Sequence, residues 1–164
     1  MIRRITPADC GAIAALEATL FATAFDQARL IALQTNPVFC GFVDLVSDQD
    51  QPQLTSADDL ASYLGGYLLA MMIDGEAEIL SIGVTPDRQS QGVGKQLLQH
   101  FFDHGVSHNM ARVLLEVAED NVPALGLYRD FGFVEFARRK GYYKQGNQKI
   151  DAIMMKWCRA EAFP

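Results

Sequence analysis

The residues best suited to chemistry begin where an apolar run, Ile79 to Val84, passes through Pro86 into Gln89-Ser90-Gln91-Gly92-Val93-Gly94-Lys95 and then into a helical apolar pattern. A strand that ends in a glycine-bearing turn at a helix start leaves free N–H groups pointing outward, with the positive end of the helix dipole behind them. Such a place binds anions. Gly92 and Gly94 carry no Cβ, so an anion can approach the backbone, while Lys95 and Arg88 add positive charge nearby. Neither common nucleotide pattern fits. The Walker loop needs Lys-Ser/Thr after its last glycine, where Lys95-Gln96 stands, and the dinucleotide fingerprint needs three spaced glycines, of which two are present. Taken alone, the passage reads equally as a turn that uses glycine to pack.

Further along, Glu116 interrupts the apolar run Val113-Leu114-Leu115-Glu116-Val117, where a lone carboxylate needs either a partner or a function. Tyr128 by itself reads as a half-buried core tyrosine, and Asn121 stands where it would cap a helix that starts at Val122. His100, His104 and His108 recur every four residues beside Asp103, which resembles a metal face. Gly105 is expected to end the helix before the third histidine, so no metal is expected. The pairs Met71-Met72 and Met154-Met155 read as core filling.

The elements that must position these groups follow from periodicity and turn chemistry. Ile2–Ile5 reads as a short strand, and Thr6-Pro7 as the start of a helix with Ile13, Leu16 and Leu20 on its apolar stripe. A second helix is expected over Asp26–Leu33, closed by Asn36-Pro37, and a strand over Val38–Val46. Ser47–Asp59, rich in polar residues and without periodicity, reads as a solvated loop. Tyr63–Ile73 and Glu76–Val84, joined by Asp74-Gly75, form a hairpin. Then come a helix from Gly92 to Gly105, a buried strand Val113–Val117, a helix Val122–Phe131, and a strand pair Phe133–Arg138 and Ile150–Trp157. This order predicts one α/β domain over 1–164, with a mixed, mostly antiparallel central sheet of six to seven strands flanked by about four helices.

Composition narrows the function classes. Hydrophobic residues at 49% and charged ones at 21% describe a globular chain with a real core. A net charge of −6, with no long basic run, argues against nucleic-acid binding and makes a basic partner easier to accommodate. Three cysteines, an odd number without CxxC spacing, fit buried reduced thiols. Asp9 and Glu17 interrupt any secretory apolar stretch, and Tyr63–Ile73 is far shorter than the roughly 20 residues that span a bilayer. A cytoplasmic protein without membrane attachment, monomeric or weakly dimeric, is expected.

The cofactor loop resembles that of the GNAT acetyltransferase superfamily, whose Gln/Arg-x-x-Gly-x-Gly/Ala motif is matched by Gln89, Gly92 and Gly94. The resemblance implies acetyl-CoA as cosubstrate, its pyrophosphate held by Gln89, Ser90, Gln91, Gly92, Val93, Gly94 and Lys95. It further implies that amides of Ile82, Gly83 and Val84 face the pantetheine and the thioester oxygen. More of the chain is similar to one branch, the bacterial ribosomal-protein-alanine N-acetyltransferases. The similarity is carried by Ala77 through Ile82, Leu115-Glu116-Val117, Asn121, Ala124 through Tyr128, Phe131-Gly132-Phe133, Arg138-Arg139, Tyr142-Tyr143 and Asp151-Ala152. That branch has a proline-tryptophan-serine stretch where Ala24 to Gln27 stand here.

By this resemblance Glu116 is the general base, Tyr128 the general acid, Asn121 a cofactor contact, and Tyr142 and Tyr143 line the acceptor groove; packing across the sheet is the alternative for the two tyrosines. The chemistry is sound on its own terms. An α-amine with a pKa near 7.7 to 8.0 must lose a proton before it attacks, and a carboxylate can take it directly or through one water. A phenol can then protonate the departing thiolate, giving direct transfer without an acetyl-enzyme. The implied acceptor is the N-terminal alanine of a basic protein such as small-subunit ribosomal protein eighteen. A small-molecule amine, or a non-catalytic CoA-binding sensor or subunit, are the alternatives.

Overall fold

The computed structural model describes residues 1–46 and 63–160, so the expected loop Ser47–Asp59 lies outside the described residues. The elements are β1 (Ile2–Arg4), α1 (Cys10–Leu20), α2 (Gln27–Gln34), β2 (Phe39–Leu45), β3 (Leu64–Ile73), β4 (Glu76–Val84), α3 (Val93–Ser107), β5 (Arg112–Ala118), α4 (Val122–Asp130), β6 (Val134–Gln145) and β7 (Gln148–Cys158). Seven strands hydrogen-bond in the order β1-β2-β3-β4-β5-β7-β6. The β4–β5 pair is parallel, while β1–β2, β5–β7 and β6–β7 are antiparallel. The mixed, mostly antiparallel sheet with four helices thus agrees with the sequence reading.

The chain forms two compact units, Met1–Ala70 with Ser81–Asp103, and Met71–Leu80 with His104–Pro164. In the first, Ile13 and Leu16 of α1, Leu30 of α2, Phe42 and Val43 of β2, and Leu97, Leu98 and Phe101 of α3 are all buried. α1 is preceded by a short 3-10 turn at Pro7–Asp9, with Thr6 at its N-cap as expected. The Asp9 carboxylate reaches back to the Thr6 amide at 2.7 Å and hydroxyl at 2.8 Å, supplying acceptors where a helix start lacks them.

In the second unit, the hairpin turn has Asp74 at φ 49° and Gly75 at φ 80°, the paired positive angles of a mirror-image turn. The Gly75 carbonyl accepts from the amides of Ala111 at 2.7 Å and Arg112 at 3.2 Å, which starts β5 in register with Glu76. Val113, Leu115 and Val117 of β5, Leu125 and Tyr128 of α4, and Ile153 and Met155 of β7 are buried here.

Five expectations are corrected. Gly105 lies inside α3, which runs on to Ser107. A Cβ there would stand 2.5 Å from the Met110 side chain, so this glycine admits a methionine and does not stop a helix. The Val113–Val117 strand is buried on one face only: Arg112, Leu114, Glu116 and Ala118 alternate onto a partly exposed face, as the pleat requires. The final pair is longer than its apolar text, since β6 continues through Arg138–Gln145 by means of register shifts against β7. Cys10 and Cys40 are buried free thiols, Cys40 pushed up to about 11 by burial, but Cys158 at the end of β7 is exposed. The methionine pairs are mixed, with Met155 buried and Met71, Met72 and Met154 partly exposed.

Candidate functional site

The loop between β4 and α3 is held by its own backbone and amide side chains. Thr85 donates its N–H at 3.0 Å and its hydroxyl at 3.2 Å to the Gly65 carbonyl, and the Arg88 amide donates to Thr85 at 2.9 Å, closing a 3-10 turn over Pro86–Arg88. Gln89 Nε2 donates to the Val84 carbonyl at 3.2 Å, and Gln91 Nε2 to the Asp87 carbonyl at 2.7 Å. These two side chains brace the loop from within. Ser90 at φ 60° and Gly92 at φ 84° then turn the chain so that successive amides line up ahead of α3.

The amides have few claims on them. The bond that opens α3 runs from the Gln96 amide to the Gly92 carbonyl at 2.9 Å, and among the described residues the amides of Gly92, Val93, Gly94 and Lys95 have no backbone acceptor. The first turn of this helix carries no acid and has an exposed Lys95 instead. A helix dipole with its positive end uncompensated, and a lysine added to it, is stable beside an anion. A Cβ built on Gly92 meets nothing within 4 Å, so the approach is open. The buried Arg88 Nε is a donor without an acceptor among the described residues.

On β4, the register with β5 runs from Glu76 opposite Arg112 to Ile79 opposite Leu115. Ile82, Gly83 and Val84 lie beyond it. Gly83 is covered by the Tyr67 ring, where a Cβ would be 2.5 Å from ring atoms. Val93, at the head of α3, is buried and anchors the loop to the core.

The side-chain candidates all fall in the second unit. Glu116 is about one-quarter exposed and meets the Arg139 guanidinium at 3.2 Å. Arg139 also stands over the Tyr142 ring at 5.3 Å, and Tyr142 meets Tyr143 edge-on at 5.1 Å. Burial first, then the negative charge of Glu116, raises the Tyr143 pKa. Tyr128 is 4% exposed, with its ring 5.6 Å from Phe133. Burial, and to a smaller degree Tyr143, raises its pKa far above the ordinary phenol value. Its hydroxyl forms no hydrogen bond among the described residues and is not fully enclosed. Asn121 caps α4, its Oδ1 accepting from the Ala124 amide at 3.3 Å.

Arg138 and Arg139, which the sequence singled out as carriers of the resemblance, both make ion pairs. Arg139 is the Glu116 partner, and Arg138 meets Glu119 at 2.9 Å, Glu135 at 3.4 Å and Asp151 at 3.6 Å. Asp151 also accepts from the Gly141 amide at 2.8 Å, which fixes the irregular stretch of β6 just before Tyr142. Sequence reasoning used Glu17 only to interrupt a secretory stretch and gave it no role in the fold, although its place between Ile13 and Leu20 on the α1 stripe marks it as inward-facing. The histidines pack on other rings: His100 meets Phe42 edge-on at 4.7 Å, and His104 and His108 lie 4.1 Å apart. Among the described residues no three His, Cys, Asp or Glu side chains gather as a metal site, and no helix is long and apolar enough to cross a membrane.

A mixed α/β sheet with an amide-lined turn at a helix start fits an enzyme that handles a phosphate-bearing ligand. The chain belongs to the acetyltransferase (GNAT) family, whose pattern matches residues 17–133, and it is an acetyl-CoA-dependent N-acetyltransferase. It is 35% identical over 103 residues to the [ribosomal protein bS18]-alanine N-acetyltransferase of Escherichia coli strain K12, spanning 63% of this chain and 67% of that one. It is 37% identical over 101 residues to the N-alpha-acetyltransferase RimI of Mycobacterium tuberculosis, spanning 62% and 61%. The crystal structure of the ribosomal-protein-S18-alanine N-acetyltransferase from Escherichia coli superposes with a TM-score of 0.81 at 24% identity, over 100% of this chain and 98% of that one.

Proposed function

We propose that this enzyme acetylates the α-amine of an N-terminal alanine on a basic protein of the ribosomal type, acting in the cytoplasm as a monomer or weak dimer. The activity of the Escherichia coli relative supports this acceptor, that of the Mycobacterium tuberculosis relative supports an α-amine, and the net charge of −6 suits encounter with a basic target.

Acetyl-CoA supplies an acetyl thioester and a diphosphate by which it can be held. The amides from Ser90 to Lys95 take the diphosphate, and the amides at Ile82, Gly83 and Val84 orient the acyl end. Glu116 accepts the proton of the incoming ammonium, directly or through one water, while Arg139 keeps its carboxylate in place. Tyr128 gives its proton to the departing sulfur. Its raised pKa keeps that proton bound through the whole neutral range, which a general acid requires. Asn121 fixes the start of α4 and so the height of Tyr128, and Tyr142 and Tyr143 border the acceptor. The observation that carries this mechanism is Tyr128, whose ring is buried and whose hydroxyl has no hydrogen-bond partner among the described residues yet is not fully enclosed, in an environment shared with Tyr143 and hence Glu116.

The test is a panel of acceptors incubated with enzyme and acetyl-CoA, read by CoA release and by mass spectrometry of the products. Ala-starting peptides should be acetylated at the N-terminus and their Pro-starting counterparts should not. Turnover of small amines with inert peptides would overturn the acceptor assignment.

A further inference from the structure

Three acidic side chains are buried among the described residues: Asp9, Glu17 and Asp44. Asp9 meets the Arg3 guanidinium through both oxygens at 2.8 Å, and Asp44 meets the N-terminal ammonium at 3.0 Å. Glu17, 1% exposed, meets no Lys, Arg or His among the described residues. Its carboxylate accepts from three neutral donors instead. The Tyr67 hydroxyl at 2.5 Å and the Ser81 hydroxyl share Oε1, and the Phe25 amide reaches Oε2 at 3.2 Å.

Burying a carboxylate without a cation is unfavourable compared with an apolar side chain of similar size. A leucine at position 17 would extend the Ile13, Leu16, Leu20 stripe of α1, so stability alone gives no reason for the acid. Its location does. Ser81 and Gly83 share one face of β4, because alternate residues of a strand point the same way. Ser81 is tethered directly to Glu17. Gly83 is pressed by the Tyr67 ring, whose hydroxyl is tethered to the same oxygen. One carboxylate therefore fixes two alternate residues of β4 from beneath, and through them the peptide units of Ile82, Gly83 and Val84.

We propose that Glu17 is a positioning residue for the acyl-binding stretch of β4, acting through Tyr67 and Ser81 and touching no substrate. The inference rests on the assignment of those amides made above. Donors aimed at developing charge are effective only while their direction is held, and the loop at 85–95 is braced separately by Thr85, Gln89 and Gln91. Loss of the tether should then slow the chemistry and leave CoA binding intact.

Two variants test this: Glu17→Gln, which keeps the volume, and Tyr67→Phe, which removes only the hydroxyl and leaves the ring on Gly83. The readouts are kcat, the acetyl-CoA KM, calorimetric binding of CoA, and Tm, each taken where the variant is fully folded. Glu17→Gln should lower kcat on the order of tenfold and Tyr67→Phe about threefold, with CoA affinity within about twofold of the parent, a fraction of the effect of deleting a donor outright. Unchanged kcat in both variants overturns the inference. So does a parallel loss of kcat and CoA affinity, the signature of a general structural role. Should Glu17→Gln fail to fold, Tyr67→Phe and Ser81→Ala decide by the same criteria. A parent protein that binds no CoA would remove the acyl-site reading itself, a different failure from a bound and active parent indifferent to Glu17.

Discussion

At the head of α3 the groups offered to a ligand are main-chain N–H groups, whereas around Glu116 they are side-chain oxygens. In the first region the glutamine side chains return to the loop's own backbone, Gln89 to Val84 and Gln91 to Asp87, and hold it in the shape that frees Gly92 to Lys95. In the second, the backbone is committed to β5–β7 pairing, with Glu116 opposite Met154, and the chemistry falls to what the side chains carry. The difference teaches where substitution should hurt. An amide cradle depends on φ angles and tolerates changes of side chain. An acid and a base depend on single atoms.

The largest effect should come from those atoms. Tyr128→Phe removes the proposed proton donor while keeping the ring against Phe133, so kcat should fall by about 10² or more with CoA affinity held within about threefold. Glu116→Gln should act comparably on kcat. Burial raises the Tyr128 pKa, so the protonated, active form persists below that raised value and is lost only as pH climbs through it. The kcat profile of the parent should therefore show no alkaline limb below pH about 10, where an unperturbed phenol would ionise. A limb at lower pH that vanishes in Tyr128→Phe would assign Tyr128 an ordinary environment and break the mechanism.

Next in size is Gly92→Val. At φ 84° a β-branched residue is strained, although nothing lies within 4 Å to clash with it. Strain of roughly 1–3 kcal/mol should move the loop off its amide-lined form and weaken CoA on the order of tenfold, with kcat at saturation close to that of the parent. Calorimetry with CoA checks the first and saturating kinetics the second. A kcat loss at unchanged affinity would show that the two regions are not separable in this way.

That contrast also decides what the sequence could reveal. The amide loop was legible because its requirements are local: a strand, two glycines and a helix start follow one another in the text. The Asp74-Gly75 hairpin was legible for the same reason. The partner of Glu116 was not, since Arg139 comes from β6, whose polar text at Arg138 to Gly141 hides a strand that only its register with β7 defines. Gly105 misled because a glycine that admits a neighbouring side chain and a glycine that ends a helix are the same letter. Glu17 was inward-facing by periodicity, yet its donors Tyr67 and Ser81 lie on two different strands, and nothing local names them.

A smaller effect is expected at Arg139. Its pair with Glu116 joins a guanidinium 49% exposed to a carboxylate 24% exposed, and such pairs contribute about 0–1 kcal/mol. Arg139→Gln should lower kcat by about two- to fivefold and leave Tm nearly unchanged. A loss as large as that of Glu116→Gln would make Arg139 a participant in the chemistry.

The smallest effect should come from the two glutamine side chains of the loop. Gln91 donates to the Asp87 carbonyl at an exposed position, where water can replace the amide, and the net worth of such a bond is about 0.5–1.5 kcal/mol. Much of that loss falls on the free and CoA-bound loop alike, so Gln91→Ala should change CoA affinity by less than about threefold, and Gln89→Ala by a similar amount. Titration of both against Gly92→Val sets the two kinds of change side by side. If the glutamine variants bound CoA as poorly as the glycine variant, the ligand would be gripped by side chains, and the loop would belong with the Glu116 region in kind.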